Sequence, residues 1–134
     1  MATPQQIEKL VYTALTADTG TNGVATLCTG GIFNGIAQDQ TPSPFLVFNF
    51  ITDAPDSTLT IDDIDSEMQI DIYGDVRDGK VAVHNIGDRV DAVLNRQTLS
   101  NTSVTAYCTS LGRGTFQESD CEWRMIQRYR VQVA

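Results

Sequence analysis

Residues 122–133, EWRMIQRYRVQV, carry the pattern that decides the fold. Large apolar or aromatic side chains take the odd positions at Trp123, Met125 and Tyr129, whereas three of the six even positions carry arginine. An alternation with a period of two is typical of a strand that has one buried and one exposed face. The segment therefore predicts a closing strand whose odd face lies on the core, with Trp123 largely buried.

Three earlier segments also have the composition of strands. Residues 45–51, FLVFNFI, are apolar on both faces except at Asn49, which is typical of a strand covered on both sides or by a partner subunit. Residues 58–73 alternate with one change of phase, which predicts one bent strand or two short ones. Residues 102–111 are rich in Thr, Val and Tyr and predict a hairpin with the closing strand, with its turn at residues 112–114.

Two amphipathic helices are expected. Residues 4–17 begin with a capping box and a proline at the first helical position, and they continue with a one-sided apolar stripe. Residues 80–96 carry a second stripe, and Gly87 on its buried side lets this helix lie close on a sheet. Between the first helix and the apolar strand, the pattern predicts only short strands at residues 24–29 and 32–33.

The order of these elements predicts a single α+β domain over residues 1–134, an antiparallel or mixed β-sheet with two α-helices packed on one face. A chain of 134 residues has the size of one domain and buries a core without help from a metal or disulfide. Its three cysteines include no CxxC pair, so buried, reduced thiols are expected. We expect no membrane partner, because the longest apolar run is too short to cross a bilayer and no signal peptide is visible.

The charge of the chain argues against specific binding to DNA. Nine basic residues are outnumbered by seventeen acidic ones, giving a formal net charge of −8. A protein that grips DNA needs the opposite sign, because neutralisation of phosphates dominates that affinity. An acidic surface suits DNA that slides past without being held, although general solubility is the simpler explanation.

Catalytic residues are not apparent. His84 is the only histidine, it lies in the second helix, and a lone helical histidine is more often structural or solvated than catalytic. The glycines at residues 29–31 and 112–114 continue into neither a Walker nor a dinucleotide-binding motif. We therefore expect no enzymatic activity and no cofactor.

An acidic segment, residues 53–67, is the one cluster that suggests a metal site. Hard cations prefer carboxylate oxygens, but the spacing is not that of an EF-hand loop, and a solvated hairpin is favoured. A small metal-dependent hydrolase built on these carboxylates is the alternative function of a different class. Calcium, magnesium or manganese would then raise the melting temperature. The carboxylates are Asp53, Asp56, Asp62, Asp63, Asp65 and Glu67.

An arginine stripe, Arg124, Arg128 and Arg130, lies on the even face of the closing strand. Pairing across the sheet with Glu67 and Asp71, or contact with another subunit, is expected in preference to phosphate binding. The acidic segment and the arginine stripe have opposite charge. We therefore predict that both belong to an assembly interface between subunits.

The layout of the chain resembles the tail terminator (tail completion) proteins of long-tailed bacteriophages. The resemblance covers residues 3–17 and 42–134, and residues 18–41 depart from the pattern. The likeness lies in the order and the pattern of the segments. The amphipathic N-terminal helix is followed by PSPFLVFNF (42–50), SEMQIDIYGD (66–75), KVAVHNIGDRVDAVLN (80–95) and DCEWRMIQRYRVQV (120–133).

This resemblance implies a ring, usually a hexamer, that caps the completed tail tube and joins it to the head connector. The implied partners are further copies of the chain, the tail tube protein and a head-closure or connector protein. DNA would pass through the lumen without specific binding, and the protein would reside in the tail or neck of the virion after assembly in the host cytoplasm. The family offers no catalytic residues. The nearest alternatives are a head-closure protein or the tail tube subunit, whereas a ligand-binding module lacks a pocket signature.

Overall fold

The computed structural model describes residues 4–37, 41–55, 64–102 and 104–133. Six strands form one sheet in the order β1-β2-β3-β6-β5-β4, in which β1 and β2 are parallel and the other neighbours antiparallel. The predicted α+β class with a mixed sheet is confirmed. The elements are α1 (Pro4–Thr16), α2 (Val24–Leu27), β1 (Gly31–Asn34), β2 (Phe45–Pro55), β3 (Ile64–Asp75), α3 (Gly79–Leu94), β4 (Gln97–Ser100), β5 (Thr105–Ser119) and β6 (Glu122–Val133).

The two long helices pack on one face of the sheet, as the sequence predicts. Helix α1 contacts the two edge strands β1 and β4, and α3 contacts β3, β5 and β6. We call this side the helix-covered face and the other side the open face. Both apolar stripes and the inward positions of the strands are buried there, including Ile7, Leu10, Val11, Leu15, Val83, Ile86, Val90, Leu94, Leu46, Phe48, Met68, Ile70, Ile72, Met125, Tyr129 and Val131.

Gly87 brings α3 close to the sheet, which confirms the expectation for this glycine. A Cβ atom at this position would lie 2.5 Å from Sδ of Met125 on β6. The side-chain amide of Gln127, also on β6, donates a hydrogen bond of 3.0 Å to the Gly87 carbonyl. The helix is therefore tied to the sheet both by close packing and by a buried polar contact.

The segment after α1 differs from the sequence-based prediction. Residues 24–27 form the helical turn α2, whereas the pattern predicted a short strand; the predicted strand at 32–33 lies within β1. The carboxylate of Asp18 accepts a 3.0 Å hydrogen bond from the Val24 amide. It also forms an ion pair with Arg89 on α3, with 2.7 Å between Oδ2 and Nε. The Arg89 hydrogen bond is the main reason that the pKa of Asp18 lies below its usual value. This contact between distant residues has no signature in the local sequence.

The predicted hairpin turn at residues 112–114 is wrong. Strand β5 continues through these glycines to Ser119, and the chain reverses at Asp120 and Cys121. The glycines instead accommodate an irregularity in the pairing, because the register shifts between Ser110 and Gly112 and Gly112 has a φ of 124°. The edge strand β4 was not predicted either.

Several smaller expectations also need correction. Trp123 is only half-buried, because it lies at the beginning of β6, beside the turn, with its ring centroid 5.0 Å from Nζ of Lys80. Cys28 and Cys108 are buried as expected, but Cys121 is exposed in the turn. Strand β3 extends to Asp75 and a 3-10 turn leads into α3 where a loop was predicted.

Within the described ranges, no helix is long and apolar enough to cross a membrane.

Candidate assembly surface

An aromatic row crosses five strands of the open face. Phe45, Tyr73, Arg124 and Phe116 are successive cross-strand partners on β2, β3, β6 and β5. The rings of Phe45 and Tyr73 stack at 4.8 Å between centroids, and Phe33 on β1 meets Phe45 edge-on at 6.4 Å. We call these five residues the aromatic row. No described helix covers them, so the row presents four aromatic rings and one arginine, residue types that are enriched where proteins bind one another.

Arg124 is held at the centre of this row. Its guanidinium carbon lies 5.4 Å from the Tyr73 ring centroid and 5.7 Å from that of Phe116, and cations are attracted to both ring faces. The same guanidinium donates to Asp71 at 3.1 Å and to Glu118 at 3.4 Å. Because Asp71 is only 6% exposed, this pair also neutralises a carboxylate that is nearly buried. Arg124 therefore fixes the geometry of the open face within the chain.

Apolar surface continues beside the row. Val47 is buried although no described helix lies over it, and it lines a depression of about 600 Å³ together with Ile36 and Tyr73. Ile36 is 83% exposed. Burial and the nearby charge of Glu118 raise the pKa of Glu122 at the other end of this depression. The loop after β1 thus extends the apolar surface beyond the strands.

The arginine stripe forms the cross-strand pairs that the sequence predicts. Arg124 pairs with Asp71, and Nη1 of Arg128 lies 3.7 Å from Oε1 of Glu67. Arg130 is exposed, and its backbone partner on β3 is Glu67. Exposed ion pairs contribute little to stability, typically about 0–1 kcal/mol. Contacts of the stripe with another subunit therefore compete with pairs already made within the chain.

The acidic segment is described only in part. Asp56, Asp62 and Asp63 lie outside the described residues. Asp53 and Asp65 belong to the paired ends of β2 and β3, where their backbone partners are Ser66 and Ala54. The side chain of Glu67 faces Arg128 on the open face. Among the residues that the structure describes, no group of three His, Cys, Asp or Glu side chains is placed to hold a metal ion.

His84 is on α3, and its side chain faces β5. Its Nε2 atom is 3.3 Å from Oγ1 of Thr115, and the side chain is half-buried. A shallow groove of about 740 Å³ separates α1 from β4, and Lys9 is the only charged residue among those described in its lining. Neither place brings a nucleophile, a base and an orienting group together, which nucleophilic catalysis requires.

The aromatic row was not predicted from the sequence. Phe33, Phe45, Tyr73 and Phe116 lie far apart along the chain, and only the pairing of the strands places them side by side. The usable signal was that residues 45–51 are apolar on both faces of the strand, which predicted that both faces are covered or that a partner subunit contacts one of them. The identity of the neighbouring residues depended on a strand order that local patterns do not contain.

The fold and its open face define a small α+β domain with a large uncovered surface for protein contacts. The model of the tail completion protein gp17 family matches residues 9–134, and the chain belongs to this family of bacteriophage tail proteins. It is accordingly a structural component of the virion tail. No curated protein is similar enough to count as a relative.

Solved structures of other proteins share the fold, among them these two. One comes from the virion of a native gene transfer agent particle; it is 17% identical with a TM-score of 0.75, and the alignment covers 95% of this chain and 93% of that one. The other, whose name states no function, is 11% identical with a TM-score of 0.64 and 95% coverage of both chains. At these identities the likeness concerns the fold.

Proposed function

We propose that this chain is a ring-forming tail terminator, which caps the completed tail tube and joins it to the head connector. The observation that carries the proposal is the match to the tail completion family over residues 9–134. The proposed partners are other copies of the chain, the tail tube protein and a head-closure or connector protein. The proposed role is structural and involves no catalysis.

The open face supports assembly with other subunits. Helices α1 and α3 cover one side of the sheet, whereas the aromatic row on the other side remains partly exposed, with Phe116 at 41%. Subunits that meet through two different surfaces form rings when the rotation closes, and the resemblance to tail terminators favours six copies. The net charge of −8 suits a passage through which DNA moves without being held.

We assign the charged residues to the rim of the proposed interface. The described part of the acidic segment, Asp53, Asp65 and Glu67, lies where β2 ends and β3 begins. It is next to the arginine stripe, because Glu67 is the backbone partner of Arg130 on β6. Charges of opposite sign at a rim steer association more than they stabilise it, and salt screens them. The remaining proposed members, beyond the described residues, are Asp56, Asp62 and Asp63.

Reversing the charge of Arg128 and Arg130 together tests this proposal. We expect the Arg128→Glu/Arg130→Glu protein to be folded, because the ion pair of Arg128 with Glu67 is exposed and weak. It should nevertheless fail to terminate tails, leaving tubes of irregular length or particles without heads. The measurement is electron microscopy of tails from cells that make only the variant.

The matched control reverses two charges away from the open face. Lys9 on α1 and Lys80 on α3 are exposed, so Lys9→Glu/Lys80→Glu changes the net charge equally and should complete tails. Normal tails with the Arg128→Glu/Arg130→Glu variant would show that the arginine stripe is not an assembly surface. Tube length separates a terminator from a head-closure protein, since loss of the latter leaves tubes of normal length.

A further inference from the structure

The sheet has two unpaired edges. Strand β1 lies at one end of the strand order, and no described strand pairs with its outer side. At the other end, β4 pairs with β5 only up to Cys108, so no described strand lies beside residues 111–119. We call residues 111–119 the β5 edge. It contains neither proline nor lysine, two residues that commonly protect edges from pairing, and it exposes Leu111 and Phe116.

The two edges lie at the same height along the strands. Successive cross-strand partners connect Ile32 on β1 through Leu46, Ile72 and Met125 to Thr115 on β5. The strands at the two edges also run in opposite directions. Strand β1 is parallel to β2, and three antiparallel pairings separate β2 from β5. Two copies placed side by side in the same orientation therefore present antiparallel edges at one level.

We propose that the β5 edge of one copy pairs with β1 of the next copy as antiparallel strands. The proposal rests on the ring proposed above and names the contact that builds it. Because the edges match in register, the contact needs no shift of one copy along the strands relative to the next. A head-to-tail contact of this kind forms a ring when its rotation closes and a helical filament when it does not.

The aromatic row favours a second copy as the occupant of this edge. At equal height, Phe116 of one copy meets Gly31 of the next. The Phe33 ring lies over that glycine, since a Cβ atom there would be 3.2 Å from Cζ of Phe33. Phe116 would thus contact the Phe33 ring of its neighbour, and the row would continue from copy to copy. Aromatic pairs of this kind contribute to binding beyond the area that they bury.

A disulfide between Asn34 and Arg113 tests the pairing. Asn34 is linked through Phe48, Ile70 and Gln127 to Arg113, so the two residues are at the same height and both are exposed. Three strands separate β1 from β5. With about 4.8 Å between neighbouring strands the distance is roughly 19 Å, and a disulfide needs Cα atoms within about 7 Å. A bond between these positions must therefore join two copies.

The experiment compares two variants, both with Cys121→Ser to remove the exposed thiol. One is Asn34→Cys/Arg113→Cys. The control is Asn34→Cys/Gln117→Cys, because Gln117 lies on the same strand and the same face, about 13 Å further along it. Both variants are first shown to complete tails under reducing conditions. The purified tails are then oxidised mildly and separated by electrophoresis without reductant.

We expect the Asn34→Cys/Arg113→Cys chain to lose its monomer band to covalent multimers and the control to remain monomeric. If the tails carry a ring of this chain but the first variant stays monomeric, or both variants crosslink equally, the edge pairing is overturned and the ring proposal stands. If images of the same tails show no ring of this chain, the proposed function fails, and this inference fails with it.

Discussion

Replacing Phe48 with alanine is expected to lower the free energy of unfolding by about 3–5 kcal/mol, as usual for truncation of a buried phenylalanine. Phe48 lies on the helix-covered face of β2, is fully buried, and has its ring centroid 6.4 Å from that of Tyr12 on α1. The truncation leaves a cavity between the sheet and this helix. A loss of this size is a large fraction of the roughly 5–15 kcal/mol that stabilises a typical domain. Urea denaturation measures the free energy of unfolding of both proteins.

Ile51→Ala is the matched control on the same strand. The Ile51 side chain is 48% exposed, so its truncation removes few contacts. We expect the control to cost about 1 kcal/mol or less. Equal losses for the two variants would mean that β2 does not present Phe48 to the core.

Alkaline pH is expected to unfold the protein because two thiols are buried. Burial raises the pKa of Cys28 and of Cys108 from the ordinary value of 9.0 to about 12. Burial and the hydrogen bond to Asp91 also raise the pKa of Tyr129. A raised pKa means that the folded chain holds its proton more tightly. The stability is therefore complete below pH 9 and declines as the pH rises towards 12.

The expected loss is large. Each pH unit between the unfolded and folded pKa corresponds to about 1.4 kcal/mol, so each buried thiol contributes on the order of 4 kcal/mol to the decline. Circular dichroism between pH 7 and 12 should show the transition. The Cys28→Ala/Cys108→Ala variant should unfold at a higher pH than the parent, and Cys121→Ala, which changes the exposed thiol, should not. An unchanged midpoint in the double variant would contradict the role of the buried thiols.

The parts of the fold that sequence could predict are those with a strong local period. The stripes of α1 and α3 recur every three to four residues, and the alternation in β6 fixes which side of the strand faces the core. A one-sided stripe has to be buried against something, so two such helices and an alternating strand already indicate a sheet with helices on one face.

The errors arose where contacts between distant residues override local signals. Glycines usually mark turns, yet residues 112–114 lie within β5 because its long pairing with β6 continues around the irregularity. Helix α2 follows a loop organised by Asp18 and Arg89. Trp123 has the apolar character of a core residue but lies at the beginning of its strand, next to the turn.

The candidate surface was predicted in part. The pairing of the arginine stripe with Glu67 and Asp71 followed from alternation alone, and its proposed contact with another subunit stays a prediction. The aromatic row and the matching heights of the two edges depend on strand order and register. Both are set by the whole sheet, so neither could be obtained from the spacing of residues along the chain.

A reconstruction of the neck of the completed particle by cryo-electron microscopy tests most directly whether this chain terminates the tail. We predict a closed ring of copies of this chain between the last layer of the tail tube and the head connector, with neighbouring sheets joined edge to edge. A map in which this position is filled by another protein, while this chain lies elsewhere in the particle, would contradict the proposed function.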